Sequence, residues 1–318
     1  MDFSGLVRFF DEHDNFLILT HKNPDGDTIG CGFGLCFYLR EIGKKANVVN
    51  NDSFPARYDF LYDGYCDEDI DYESVIAVDI ADTQLLGDNL SEYAKEGMID
   101  VCIDHHISNK HYAKETYLDG KASAACLVLY DFFKEIGAKI SDHVAKCLYT
   151  GIATDTGCFK FENTTPEAHR AAADLMSYDI DFANVNRLMF DIKSRGRLAV
   201  EQSVIANMEY YFDDRCAMIV LTKELMDSCG VDETEFEGLA SLPLQVEGVK
   251  IGITVKQRED KLFKLSVRTN DEIDACKFCM TFNGGGHIRA AGCDVKGDIQ
   301  SVKEQVLPVV KETLDSIS

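Results

Sequence analysis

Basic residues are scarce in this chain: 32 Lys and Arg stand against 55 Asp and Glu over 318 residues, a formal net charge of −23. Binding along a long nucleic acid rests on cations that release counterions from phosphates, so that class of partner is disfavoured. Apolar runs approaching 18 residues are missing, and the N-terminus, Met1-Asp2-Phe3-Ser4, has no basic flank. Neither a membrane span nor a secretory signal is expected, and the expected location is the cytoplasm. A disulfide framework is lacking as well, since the twelve cysteines are scattered singly, mostly in apolar segments, and read as reduced, buried thiols. Cys276-Lys277-Phe278-Cys279 has no second C-x-x-C beside it, so helix packing accounts for it better than zinc or redox chemistry. Only five prolines occur, with no internal repeat or low-complexity run, and 46% hydrophobic and 27% charged residues describe an ordinary globular protein.

A chain of 318 residues exceeds what one core usually serves, so two domains are expected. Residues 1–185 read as an α/β domain with a mainly parallel sheet, 186–212 as a helical connector, and 213–318 as a smaller α/β domain, with a cleft between the two. Phe16 to Thr20 is a continuous apolar strand, and Ala46–Val49, Ser74–Val78 and Asp100–Ile103 follow as further strands. Helices are expected over 28–42, its early glycines Gly30, Gly32 and Gly34 letting it lie close to the sheet, and over 122–136, 142–152, from Pro166 to about Tyr178, and 182–211. Beyond the connector, strands are expected at 216–221, across a hairpin with Val249–Val255 and Phe263–Val267 facing one way, and near the C-terminus. Short helices are expected at 223–229, 236–246 (broken by Pro243) and 274–281, and a last one at 299–314.

Polar groups gather where the strands stop. The first runs into His21-Lys-Asn-Pro-Asp25-Gly-Asp27, whose Pro-Asp-Gly is a turn; the third into Asp79; the fourth into Asp104-His105-His106; and Asp155 sits beside Gly157 after the 142–152 helix. Ligands of parallel sheets collect at the carboxyl ends of strands, which is where all of these fall. Carboxylates crowded together repel unless cations neutralise them, and two divalent metals are the economical answer. Carboxylates outnumber imidazoles and no thiol takes part, which suits Mn²⁺, with Mg²⁺ or Co²⁺ as substitutes. A hydroxide held between two such metals is suited to in-line attack on phosphorus, and no Ser or Cys nucleophile motif accompanies the site. Gly284-Gly285-Gly286-His287 has two readings: a helix cap and loop, or close backbone approach to a phosphate with His287 and Arg268 as charge partners.

His21-x-Asn-Pro-Asp25-Gly-Asp27, Val78-Asp79, Asp104-His105-His106 and Asp155-Thr-Gly157 resemble the ordered motifs of the DHH phosphoesterase superfamily. Phe282-Asn-Gly-Gly-Gly-His287-x-x-Ala-Ala-Gly292, preceded by Ser266-Val-Arg268, resembles that superfamily's type-one DHH-associated C-terminal domain. Among its members the chain is most similar to the nanoRNase (oligoribonuclease) and pAp phosphatase group. The resemblance implies a Mn²⁺-dependent hydrolase of short RNA or of 3′-phosphoadenosine 5′-phosphate. One metal would rest on His21, Asp25 and Asp79 and the other on Asp27, Asp79, His105 and Asp155, so that Asp79 bridges. It further implies that His106 serves the leaving group, that Asp104 supports the histidines, and that Arg268, His287 and Gly284 to Gly286 hold the nucleotide. Cyclic or linear dinucleotide phosphodiesterases share these motifs and form the alternative, ahead of RecJ-like exonucleases. A homodimer is compatible with this reading, and a non-catalytic nucleotide sensor would be expected to have lost metal ligands.

Overall fold

Residues 1–230, 236, 238–270 and 273–317 are described by the computed structural model, and the chain divides into two compact units, Met1–Ile192 and Lys193–Ser318. Unit one runs α1 (Ser4–Glu12), β1 (Phe16–Leu19), α2 (Gly26–Glu41), β2 (Ala46–Val49), β3 (Ser74–Val78), β4 (Val101–Asp104), β5 (Glu115–Leu118), α3 (Ala125–Glu135), α4 (Asp142–Asp155), α5 (Pro166–Leu175) and α6 (Phe182–Asn186). Its five strands are all parallel, in the order β2-β1-β3-β4-β5. Side chains alternate across a strand, so β1 feeds two cores. Phe16 and Ile18 pack with residues of α2, α3 and α4, while Leu17 and Leu19 pack with Ile80, Leu86 and Leu90 on the opposite face. Burial on both faces is why β1 reads as an unbroken apolar run.

Of the α2 glycines, Gly32 faces the sheet, where an added Cβ would lie 2.9 Å from Thr20, whereas Gly30 faces α4, with the Cys147 carbonyl at 2.5 Å. Polar side chains fix the helix starts: Asp25 caps α2, Ser141 caps α4, and Thr165 caps α5 with Pro166 at its first turn.

Unit two runs α7 (Arg195–Ala206), β6 (Glu209–Tyr211), β7 (Cys216–Leu221), α8 (Lys223–Cys229), β8 (Ile251–Glu259), β9 (Leu262–Thr269), α9 (Ala275–Met280), β10 (Gly285–Gly286), β11 (Ala290–Lys296) and α10 (Ile299–Asp315). The strands form one sheet, β10-β11-β9-β8-β7-β6, parallel only between β7 and β8. One face packs Met218, Ile253, Leu265 and Val267 with Val302, Val306 and Val310 of α10, and Ile219 and Leu221 pack with Val200 and Val204 of α7.

The continuous helix expected over 182–211 is corrected by the structure. Helix α6 passes into a π turn, Arg187–Asp191, and the Ser194 side chain accepts the Arg197 N–H to start α7 afresh. Residues 209–211 are a strand paired to β7, so the stretch 186–212 is shared between the two units. The helix expected from Phe236 to Val246 is instead two short 3₁₀ turns, Leu239–Ser241 and Pro243–Gln245, with Glu237 outside the described residues. Gly238, at φ +80°, and Pro243 each interrupt α-helical continuation. Among the described residues no helix is long and apolar enough to cross a membrane.

Candidate functional site

The strand order of unit one changes direction between β1 and β3, and crevices at such reversals are where open α/β sheets bind ligands. His21 follows β1. Its Nδ1 lies 2.9 Å from the Lys22 carbonyl, which fixes the ring with Nε2 toward Asp25 Oδ1 at 3.7 Å and Asp79 Oδ2 at 3.4 Å. Asp25 is held by its capping role, Oδ1 accepting the N–H groups of Asp27 at 3.0 Å and Thr28 at 3.2 Å.

Asp27 is buried, and its oxygens accept the N–H groups of Ala125 at 2.6 Å and Cys126 at 2.9 Å, the first two residues of α3. Helix starts carry partial positive charge, so a carboxylate is favoured there. Gly151 of α4 makes the close fit possible, since a Cβ would lie 2.7 Å from Asp27 Oδ1 and 2.2 Å from Cys126 Sγ.

Asp79 ends β3 in the left-handed region, φ +59°, which Asp tolerates better than most residues. Asp104, fully buried at the end of β4, is surrounded by donors: Oδ1 accepts from the His105 N–H at 2.8 Å and His106 Nδ1 at 2.7 Å, and Oδ2 accepts from Asn109 Nδ2 at 2.6 Å. His105 is tethered through Nδ1 to the Ala122 carbonyl at 3.1 Å. Its Nε2 then lies 3.5 Å from Asp79 Oδ1, 3.3 Å from Asp155 Oδ2 and 3.9 Å from Asp27 Oδ2. Among the described residues, three sets of ligand atoms fall within 4.8 Å of one another: His21, Asp25 and Asp79; Asp27, His105 and Asp155; and Asp79, His105 and His106.

Burial, and then the charge of Asp27, raise the Asp79 carboxyl well above the ordinary range, and burial with Asp27 and Asp79 pushes Asp155 up to about 10. Burial opposes the charged form of His21, yet its contacts with Asp25 and Asp79 prevail and push it up to about 11. Asp104 goes the other way: His106 and Asn109 outweigh its burial and lower it. Asp79 Oδ1 is buried and makes no hydrogen bond among the described residues. A buried acceptor without a donor is costly, as is a cluster of like charges, and a divalent cation relieves both. The donors are oxygen and imidazole nitrogen, a set that suits such an ion.

A pH dependence follows. With no cation bound, the raised groups hold protons at neutral pH, and these must leave when a metal takes the carboxylates and imidazoles. Calorimetric titration with Mn²⁺ at pH 7, in two buffers of different ionisation enthalpy, should show net proton release, and affinity should climb as pH rises toward the values near 10 and 11. Equal heats in both buffers would contradict the shifts.

All eight polar residues expected at the sheet edge in unit one are thus brought together. Arg268, Gly284, Gly285, Gly286 and His287 lie in unit two and line a cavity of about 830 Å³ there, with Lys264 and Ser266. The glycines divide by role. A Cβ on Gly284 would meet the Gly292 carbonyl at 2.3 Å, and one on Gly286, at φ +144°, the Ala290 carbonyl at 2.6 Å, so packing on β11 requires both. A Cβ on Gly285 meets nothing within 4 Å, so packing does not account for that glycine. Sequence reasoning missed Asn109, Asn50, whose Nδ2 donates to the His21 carbonyl at 2.6 Å, and the α3 amides on Asp27. Of these only the helix start had a signal, the apolar run opening at Ala124.

Family models match residues 15–152, as the N-terminal domain of the DHH family, and residues 218–316, as the DHHA1 domain. The bifunctional oligoribonuclease and PAP phosphatase NrnA of Thermus thermophilus is 31% identical over 303 residues, spanning 93% of this chain and 89% of that protein. The chain belongs to the DHH family. This DHH protein is a hydrolase of phosphate esters, in a family that depends on divalent metal ions. The Bacillus subtilis protein of the same description is 24% identical over 295 residues, 91% of this chain and 92% of its own. In fold, the DHH chain matches the crystal structure of an exopolyphosphatase-related protein from Bacteroides fragilis, with a TM-score of 0.84, 25% identity and coverage of 98% and 95% of the two chains.

Proposed function

We propose that this DHH protein hydrolyses short oligoribonucleotides to mononucleotides, and 3′-phosphoadenosine 5′-phosphate to AMP and phosphate, using two Mn²⁺ ions. The observation that carries the two-ion reading is Asp79: its Oδ2 faces His21, and its buried, unbonded Oδ1 faces His105. His21, Asp25 and Asp79 would hold one ion, and Asp27, Asp79, His105 and Asp155 the other. Such ions, when bound, neutralise phosphoryl oxygens and lower the pKa of a water enough for attack at neutral pH.

The chain's own groups do the rest. Asp104 accepts from His106 Nδ1 and favours the charged ring, so the Nε2 proton of the imidazolium, on a side chain 41% exposed, can pass to the departing oxygen. Arg268 supplies a positive group, and His287, beside bare Gly285, a hydrogen-bonding group, for the substrate's phosphate in an otherwise acidic chain. The net charge of −23 and the relatives' descriptions both favour short substrates over long strands.

Rates measured side by side with Mn²⁺ on 3′-phosphoadenosine 5′-phosphate, RNA of two to five nucleotides, cyclic di-AMP and long single-stranded DNA test the assignment. The first two should be turned over fastest. Faster hydrolysis of cyclic di-AMP would replace the substrate class, and binding without turnover of any of them would make the protein a sensor. Arg268→Ala should raise KM on the favoured substrate about 10- to 100-fold with kcat largely kept, the loss of one or two charge-assisted hydrogen bonds. An unchanged KM with lost kcat would contradict a binding role.

A further inference from the structure

Helix α4 ends on Asp155, and the turn that follows is unusual. Gly157, Cys158 and Phe159 have φ of +56°, +57° and +62°, three consecutive residues in the left-handed region, two of them with side chains. L residues adopt that region at a cost, and such a cost beside a functional carboxylate points to a role for the turn. Thr156 holds it. Its Oγ1 donates to the Ile152 carbonyl at 2.6 Å and accepts the Phe159 N–H at 3.1 Å, while its carbonyl accepts the N–H groups of Lys160 at 2.9 Å and Phe161 at 3.0 Å. Asn163 Nδ2 donates back to the Asp155 carbonyl at 3.1 Å, so the segment is folded onto the residue that supplies the Asp155 carboxylate.

The turn places Phe161. A Cβ on Gly157 would lie 2.4, 2.5 and 2.6 Å from Cζ, Cε1 and Cε2 of the Phe161 ring. Three nearly equal distances require a point over the ring's face, because a point beyond the ring's edge would be much nearer Cζ than the other two. The ring therefore lies flat on the Gly157 backbone, yet the side chain is 59% exposed, which leaves its other face open. Exposure alone would need no explanation, since single apolar side chains on a surface are common. A ring whose orientation is fixed by three left-handed residues does need one. Successive Cα atoms are about 3.8 Å apart, so Gly157 Cα lies at most about 7.6 Å from that of Asp155. The ring is thus within reach of a nucleoside whose phosphate rests at the carboxylates.

We infer that the open face of Phe161 stacks on the base of the nucleotide whose phosphate is cleaved, which makes Phe161 a specificity-determining residue for nucleotides over plain phosphate esters. This rests on the function proposed above. Every base has a π face, so the contact selects for a base without selecting which one.

The test compares 3′-phosphoadenosine 5′-phosphate with its abasic analogue, in which hydrogen replaces adenine, so that the same ribose ester is cleaved in both. Phosphate release with Mn²⁺ is measured for wild type, Phe161→Leu and Phe161→Tyr. Wild type should favour the adenine substrate. Phe161→Leu should raise KM for it about 10- to 100-fold with kcat kept and leave KM for the analogue unchanged, and Phe161→Tyr should restore the preference. Leu keeps apolar bulk over Gly157, and calorimetric titration should show Mn²⁺ bound as in wild type. If the ring serves only to seat Asp155, Phe161→Leu loses kcat equally on both substrates and binds Mn²⁺ more weakly, which overturns the inference. Equal rises in KM on both substrates, or an unchanged KM for the adenine substrate, would overturn it as well. Wild-type protein that cleaves neither substrate would overturn the function proposed for this nucleotide, and the inference with it.

Discussion

Asp79→Asn is expected to cut kcat at least about 1,000-fold and to remove most bound Mn²⁺, because on the two-ion reading proposed above one carboxylate serves both ions, and metal-assisted stabilisation of the transition state amounts to several kcal/mol. Oδ2 of this residue lies 3.4 Å from His21 Nε2 and Oδ1 lies 3.5 Å from His105 Nε2, so among the described residues Asp79 shares one set of ligand atoms with His21 and another with His105. Asn keeps the size of the side chain and tolerates φ +59°, so the turn after β3 survives the change. Stability provides the control. Burial and Asp27 raise the Asp79 carboxyl far above its unfolded value, so in metal-free protein at neutral pH it folds only at the cost of taking up a proton, and a neutral amide avoids that cost. The variant in EDTA should therefore melt no lower than wild type, while Mn²⁺ should raise its Tm less. Full Mn²⁺-dependent turnover by the variant would rule out the shared-ligand assignment.

The site was legible because a parallel sheet brings the ends of distant strands to one edge whatever their separation in sequence. His21, Asp79, Asp104 to His106 and Asp155 could be gathered from the ends of apolar runs and a helix without knowing that the strand order is β2-β1-β3-β4-β5. Runs bounded by turn residues also gave β2, β3, β7 and α8 their observed limits. The failures lie where local structure departs from the spacing of apolar residues. Strand β5, Glu115–Leu118, has one buried residue, Tyr117, and no apolar run to announce it. Residues 182–211 have helix-compatible spacing throughout, and the π turn Arg187–Asp191, the local bond from the Arg197 amide to Ser194 and the pairing of β6 to β7 divide them. Asn109 is buried in a loop and acts through one hydrogen bond to Asp104, a role that leaves no pattern in the chain. The tri-glycine segment was read as either packing or ligand approach, and packing on β11 accounts for Gly284 and Gly286 but not for Gly285.

The roles proposed for His106 and Asp104 predict the second large effect. His106→Ala should lower kcat on oligoribonucleotides about 100- to 10,000-fold, the usual contribution of a positioned general acid, with bound Mn²⁺ unchanged. Asp104→Asn should cost less, about 10- to 100-fold, since the imidazole remains but loses the carboxylate that fixes which nitrogen faces outward. The rival role is visible in the same geometry, because Asp79, His105 and His106 present ligand atoms within 4.8 Å of one another. Geometry favours the acid: His106 Nδ1 lies 3.5 Å from Asp79 Oδ1, and it is already 2.7 Å from Asp104 Oδ1. A nitrogen that donates its proton to a carboxylate has no lone pair for a metal. The p-nitrophenyl ester of thymidine 5′-phosphate separates the roles, since its leaving phenolate needs no proton. If His106 is the acid, His106→Ala should hydrolyse that ester at close to the wild-type rate while remaining slow on RNA. Should the variant instead lose Mn²⁺ and be equally slow on both substrates, His106 is a ligand, and the proton must come from elsewhere.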